Sequence, residues 1–455
     1  MVRTFAACLL LFAAPALLSA NDAAPLRIAT FQTDVTPPLG SPLCDGLVPA
    51  ADAITDPLTA RGVVLLVEPP VVLCAVDWVG IGNAGHDAWR EALAEAAGTT
   101  ADRVAVHALH QHDAPGCDFA AEDLAAARGL GGKLFNVAFA QEAIRRTAEA
   151  VRAACLQPRS VTHVGTGRGE VKQVASNRRL LGEDGRVQFV RYSSCKDEAI
   201  RALPEGTIDP FCRLLAFYDG DETVAAITWY ATHPQSYYGQ GDVSADFVGM
   251  ARSLREEALP GIPLIHFNGA GGNVAAGKYN DGLPETRPLL AQRLAEGMRA
   301  AWESQTKTPV TAADVEWQVR PIQLPVSERL NEADLLRVLD DSQAAELERL
   351  KAARDLSYAR RAAAGMESPL TALRIGSAWV VHMPGELFVE YQLAAQALRP
   401  DDFVAMAAYG DYGPGYIGTE IGYSQGGYET GPVSRVVPAV EAVLLQALRE
   451  VLRAE

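Results

Sequence analysis

Hydrophobic and polar positions along this chain fall into two rhythms: short β-branched runs bounded by breakers, and longer runs with helical spacing. The short runs predict strands over residues 27–35, 61–67, 71–79, 104–109, 223–232 and 262–267, with a strand pair over 373–382 around Gly376. Glu68-Pro69-Pro70 separates the second and third runs as a hairpin turn. Helical spacing covers 86–97, 137–154, a segment ending near 258, 290–303 and 331–364. It continues in a helix launched at Met383-Pro384-Gly385-Glu386 and in a closing helix over 433–453. Strands interleaved with helices predict an α/β fold of mixed β-sheets flanked by helices. Nothing repeats at a fixed period and no segment reads as a linker, so residues 21–455 form a single domain, with 331–364 a charged helical insertion, an arm or lid.

The run Val104 to Leu109 empties into His110-Gln111-His112-Asp113-Ala114-Pro115-Gly116, and three of the eight histidines lie within six residues here. Strand alternation would put His110 and His112 on one face and His107 on the other. Pro115 and Gly116 end the strand, so the pair sits where the chain leaves the sheet. Two imidazoles on one face are either half a zinc site or two satisfied polar residues at a strand end.

The same geometry recurs at Thr232-His233-Pro234, where the strand over 223–232 meets a breaker. An acidic-polar loop with Asp246 follows, and the strand over 262–267 opens into Asn268-Gly269-Ala270-Gly271-Gly272-Asn273, a turn whose amides can approach a ligand. Glu386 falls in the first turn of its expected helix, a favoured place for a carboxylate without any metal. Asp77 reads as a polar strand end or as support for a metal ligand. Arg178-Arg179 reads as a surface pair or an oxyanion fork, the surface pair being preferred. Tyr409 to Glu429 gathers five tyrosines and seven glycines.

Composition narrows the possibilities. A formal net charge of −16 with no basic run longer than an arginine pair argues against nucleic acid as a partner. Residues 1–20 read as a secretion signal: Arg3, an apolar run to Leu18, then Leu18-Ser19-Ala20. The expected location is secreted or periplasmic, with no transmembrane segment. Six cysteines remain after Cys8, without any CxxC, so disulfides are possible but a thiolate metal site is not expected.

Taken in order, these motifs resemble the catalytic domain of the neutral ceramidases. His110 to Gly116 is similar to that family's histidine-threonine-histidine-serine-glycine-proline loop; Ala231 to Pro234, Ser244 to Gly249, Asn177-Arg178 and Pro384-Gly385-Glu386 match further motifs, and Tyr416, Tyr423 and Tyr428-Glu429 keep the tyrosine spacing. The resemblance implies a neutral-ceramidase-like fold and a zinc ion (Zn2+) held by His110, His233, Glu386 and Tyr416. It further implies His112 as acid/base, Arg178 and Tyr423 in catalysis, and Asn177, Asp246, Gly271, Gly272, Asn273 and Tyr428 around the substrate.

Two departures qualify it. The family's serine falls on Ala275, closing a covalent serine route, although zinc-activated water needs no serine. Ceramidases also carry a β-sandwich after the catalytic domain, whereas a closing helix is expected here. The resulting expectation is an exported zinc hydrolase, an amidase or esterase acting on an N-acyl lipid or a more polar amide or ester. A non-catalytic binding protein on the same fold and a carbohydrate-active zinc lyase or deacylase are the alternatives.

Overall fold

Three β-sheets, each with one parallel strand pair, organise residues 24–454 in this computed structural model; the expected secretion signal lies outside the described residues. The first sheet runs Val104–Ala108, Val71–Val76, Thr59–Leu65, Leu26–Asp34, Arg159–Val161. The second runs Leu264–Asn268, Glu222–Tyr230, Phe211–Asp219, His163–Glu170, Thr306–Pro309, and the third Val315–Ile322, Ser368–Ile375, Ala378–His382, Phe403–Ala407. Helices Asn83–Ala97 and Val137–Cys155 pack on the first sheet, Asp246–Ala258 and Thr286–Glu303 on the second, and Val389–Ala397 and Val440–Val451 on the third. The architecture is the mixed α/β one expected.

Thr59–Leu65, Val71–Val76 and Val104–Ala108 of the first sheet are buried on both faces, and their residues alternate between two cores. Val63, Leu65, Leu73 and Ala75 join a core shared with Phe217, Ile227 and Ile265 of the second sheet and Val380 of the third. Val64, Val72 and Val76 face the other core, with Trp78, Trp89 and Leu93. Burial on both faces is why Val71 to Val76 reads as an unbroken apolar run rather than as an alternation.

The parallel pairs set the position of the site. Val104–Ala108 runs parallel to Val71–Val76, Leu264–Asn268 to Glu222–Tyr230, and Phe403–Ala407 to Ala378–His382. Their carboxyl ends are tied across sheets: the Ala108 amide donates to the Tyr409 carbonyl (3.0 Å) and the Ala408 amide to the Asn268 carbonyl (3.0 Å). The loops that follow these strands carry His110, His233, the glycine-rich turn, Glu386 and Tyr409. Ligands gather outside the carboxyl ends of strands in open α/β sheets for this reason.

Several expectations are corrected. The strand ends at Ala108, and His110 takes a left-handed backbone (φ 70°), so its convergence with His112 comes from the loop and not from strand alternation. Glu386 lies in a two-residue strand, Glu386–Leu387, paired with Tyr416–Ile417; the helix starts only at Val389, and no helix dipole accounts for the carboxylate. The closing helix starts at Val440, after a turn-rich stretch containing Pro432 and Pro438. Arg178 and Arg179 are buried, not a surface pair, because both face Glu429 inside the fold. All six described cysteines are free. The charged insertion is two helices, Glu332–Asp340 and Glu346–Ala363, broken where Asp341 turns extended, with Leu335, Leu339, Leu350 and Leu356 buried beneath the charges. Among the described residues no helix is long and apolar enough to cross a membrane.

Candidate metal centre

His110 is seated by its backbone amide on the Trp78 carbonyl (2.8 Å), and its Nδ1–H donates to the Val79 carbonyl at 2.6 Å. His233 is seated in the same way: its amide donates to the Val274 carbonyl (2.9 Å), and its Nδ1–H to the Gly271 carbonyl (2.7 Å). Each ring has spent its proton on a carbonyl, so each Nε2 carries a bare lone pair. Both lone pairs face the same oxygen. Glu386 Oε2 lies 3.2 Å from His110 Nε2 and 3.1 Å from His233 Nε2, is buried, and receives no hydrogen bond. Glu386 Oε1, by contrast, accepts from the Tyr412 hydroxyl at 2.7 Å.

Two imidazole lone pairs and a carboxylate oxygen that receives no hydrogen bond repel one another where they converge. A divalent cation relieves that repulsion, and nitrogen and oxygen donors of this kind suit zinc. His112 adds its Nε2 at 3.3 Å from that of His110, and the ligand atoms of His110, His112 and His233 all lie within 4.8 Å of one another. The Tyr416 hydroxyl is 3.0 Å from His233 Nε2 and 3.0 Å from the Tyr428 hydroxyl, and the Arg178 Nη2 donates to it at 3.3 Å. Burial, helped by the positive charge of Arg178, pushes His233 down to about 4. The ring is therefore neutral near pH 7, the state a metal ligand requires. Burial holds the Tyr416 phenol well above its ordinary range, against the pull of Arg178.

A second layer fixes these groups. Tyr409, with a positive φ of 61°, stacks on His110 with ring centroids 4.7 Å apart, and Tyr416 stacks on His233 at 5.9 Å. Asp77 is buried and accepts from Arg252 (2.7 and 3.0 Å), from Thr59, and from the Gln111 side chain between the two histidines (3.1 Å). Burial alone would raise the Asp77 carboxyl, but Arg252 brings it below its ordinary range. Its support thus reaches the histidine loop through Gln111 rather than through a metal-ligand ring. Gly271 and Gly272 serve the backbone: the Gly271 carbonyl holds His233, and a Cβ on Gly272 would collide with the carbonyl oxygens of Glu386 and Leu387.

His110, His112, Glu386, Arg178, Tyr416 and Tyr428 all border one cavity of about 1020 Å3, while His233 is fully buried and does not line it. Tyr423 is not brought there; its hydroxyl bonds Ser434 Oγ at 2.8 Å. Asn177 spends its side chain on the Thr207 carbonyl and the Arg179 amide, Asp246 on the Ser236 amide and Arg287, and Asn273 on the Val389 amide and Glu390. These three hold loops in place and do not line the cavity. Ala275 is buried in a two-residue pairing with Ser176. Sequence reasoning missed Tyr412 and Tyr409 as individual residues, their only trace being the tyrosine-glycine richness of residues 409–429, and gave Glu429 no role beyond its place beside Tyr428.

No protein-family model matches the chain, and no curated protein does. Solved structures do. Neutral ceramidase from Pseudomonas aeruginosa is 17% identical with a TM-score of 0.68, over 95% of this chain and 75% of that one. The fold is neutral ceramidase-like. A ceramidase complexed with C2 is similar to the same extent, 16% identical with a TM-score of 0.66, over 95% of this chain and 76% of its own. At this identity the likeness extends to the fold, and the neutral-ceramidase-like arrangement of sheets is what carries the three strand ends to one point.

Proposed function

We propose that this chain is an exported zinc-dependent hydrolase that cleaves an amide, or an ester, of a small polar acyl substrate. The observation that carries this reading is the Glu386 carboxylate oxygen, buried without a hydrogen bond between the Nε2 atoms of His110 and His233, whose Nδ1 atoms are both spent on backbone carbonyls. His110, His233, Glu386 and Tyr416 would hold the ion, with His112 and Arg178 beside it. Zinc bound there would supply a Lewis acid and a water acidified to a pKa of about 7.

The chain's own groups then divide the work. His112 is the proton carrier, since its Nδ1 has no protein partner and its ring borders the cavity. Arg178 and the hydroxyl of Tyr428 face the place where negative charge develops on the attacked carbonyl, a contribution worth on the order of 10² or more in rate. Tyr412 fixes the orientation of Glu386. Ala275 offers no hydroxyl, so no acyl group is passed to that position. The likeness in fold to ceramidases supports a hydrolase, and the polar groups Ser193, Ser194 and Gln235 in the cavity wall support a substrate more polar than a long-chain ceramide.

The test is metal content together with turnover. One equivalent of zinc in purified protein, with hydrolysis of an N-acyl panel member that chelation abolishes and zinc restores, is the expected result. A product lighter by one water than a hydrolysis product would point to elimination instead. Ala275 favours a second reading, a zinc-binding protein that turns nothing over, and any chelator-sensitive hydrolysis excludes it.

A further inference from the structure

The chain carries a net charge of −16, yet its central cavity has the opposite balance: six cationic side chains line it against four carboxylates. One of the four, Glu386, belongs to the metal set. Two others are matched one to one, Asp45 by Arg354 at 2.8 Å and Glu348 by Lys351 at 2.9 Å. The fourth, Asp355, is shared by two guanidiniums, Arg329 at 2.7 Å and Arg435 at 2.6 Å. Lys196 adds a further cation. The same imbalance recurs beside the metal centre, where Arg178 and Arg179 share Glu429.

Surplus guanidiniums inside a cavity are costly to keep, because each is partly desolvated and only half compensated. Arg435 is largely buried and spends its Nε on Asp355 and its Nη1 on the Gly413 carbonyl, which leaves Nη2 without a protein acceptor. A concave, low-dielectric site of one sign focuses its field and concentrates ligands of the other sign. A neutral lipid has no use for such a wall; an anion does.

Building on the hydrolase reading, we propose that the substrate is an anion. It is a small amide or ester bearing a carboxylate or a similar anionic group, which Arg329, Arg435 and Lys196 recognise in the cavity while the scissile bond lies at the histidine cluster. Arg435 Nη2, which has no protein acceptor, suits this task because a guanidinium N–H makes a charge-assisted hydrogen bond to a carboxylate oxygen.

Calorimetric titration of the metal-free protein separates this from the hydrolase reading, since it needs no turnover. N-Octanoylglycine and its neutral primary amide are the two probes. The carboxylate is expected to bind at least about tenfold more tightly, and the gap to shrink at high salt. Arg329→Gln, at a partly exposed side chain, and Lys196→Gln, at an exposed one, should each narrow the gap while the amide's affinity changes little. Equal affinities, or no binding of the carboxylate, overturn the proposal. Tight carboxylate binding without hydrolysis of any probe by the zinc-loaded protein would leave the anion site standing and sink the hydrolase reading alone. Sulfonate and phosphonate analogues show which anionic group fits best.

Discussion

His233 Nε2 stands 3.1 Å from Glu386 Oε2, a lone pair facing a carboxylate oxygen that receives no hydrogen bond. The pair joins a loop of the second sheet to a loop of the third.

That pairing makes metal content the sharpest readout. His233→Ala and Glu386→Ala are expected to purify without stoichiometric zinc, and His112→Ala to retain most of it while losing about 10² or more in turnover. Elemental analysis of the three variants checks this. Full zinc in the Glu386 variant would show that the carboxylate is not a ligand.

Tyr412 donates to the other oxygen of Glu386 at 2.7 Å. Tyr412→Phe removes that bond and keeps the ring, so zinc affinity should fall about 10- to 100-fold, the usual effect of losing a group that orients a ligand. Competition with a chromogenic chelator measures it, and unchanged affinity would mean that Glu386 is held by its backbone alone.

Gly272 lies against the backbone of Glu386, where a side chain has no room. Gly272→Ala should cost about 1–3 kcal/mol of stability through overpacking and should weaken zinc binding as well, because the obstacle is the ligand's own main chain. Urea denaturation with parallel metal analysis reads both; a loss of stability with zinc binding intact would separate the two effects.

Asp77 and Arg252 form a buried pair, and Asp77→Leu should cost about 3–5 kcal/mol by leaving the guanidinium uncompensated. The folded-state carboxyl lies below its unfolded value of about 3.9. Its contribution is therefore fully present above that value and is lost as pH falls through the lower folded one. Denaturation midpoints between about pH 2 and 5 should show a shallower acid limb in Asp77→Asn than in the parent. Parallel acid limbs would show that other carboxylates govern the transition.

Much of this was legible along the chain. Val71 to Val76, Val104 to Ala108 and Glu222 to Tyr230 were readable as strands because β-branched runs bounded by proline, glycine and polar turns carry their own local signal. Histidines at the ends of two such runs, and a proline-glycine-glutamate segment after a third, marked the places where the chain leaves its sheets. Three-dimensional packing alone decided that these places coincide. The carboxyl ends of three parallel pairs are joined by hydrogen bonds such as that from Ala408 to Asn268, between residues with no local relation in sequence. The burial of Arg178 beneath Tyr416 and Tyr428, the sharing of Asp355 by two arginines, and the choice of Tyr412 over Tyr423 as a neighbour of the site depend on the same packing. A side chain's local sequence sets its chemistry and its element, but its environment is made by residues hundreds of positions away.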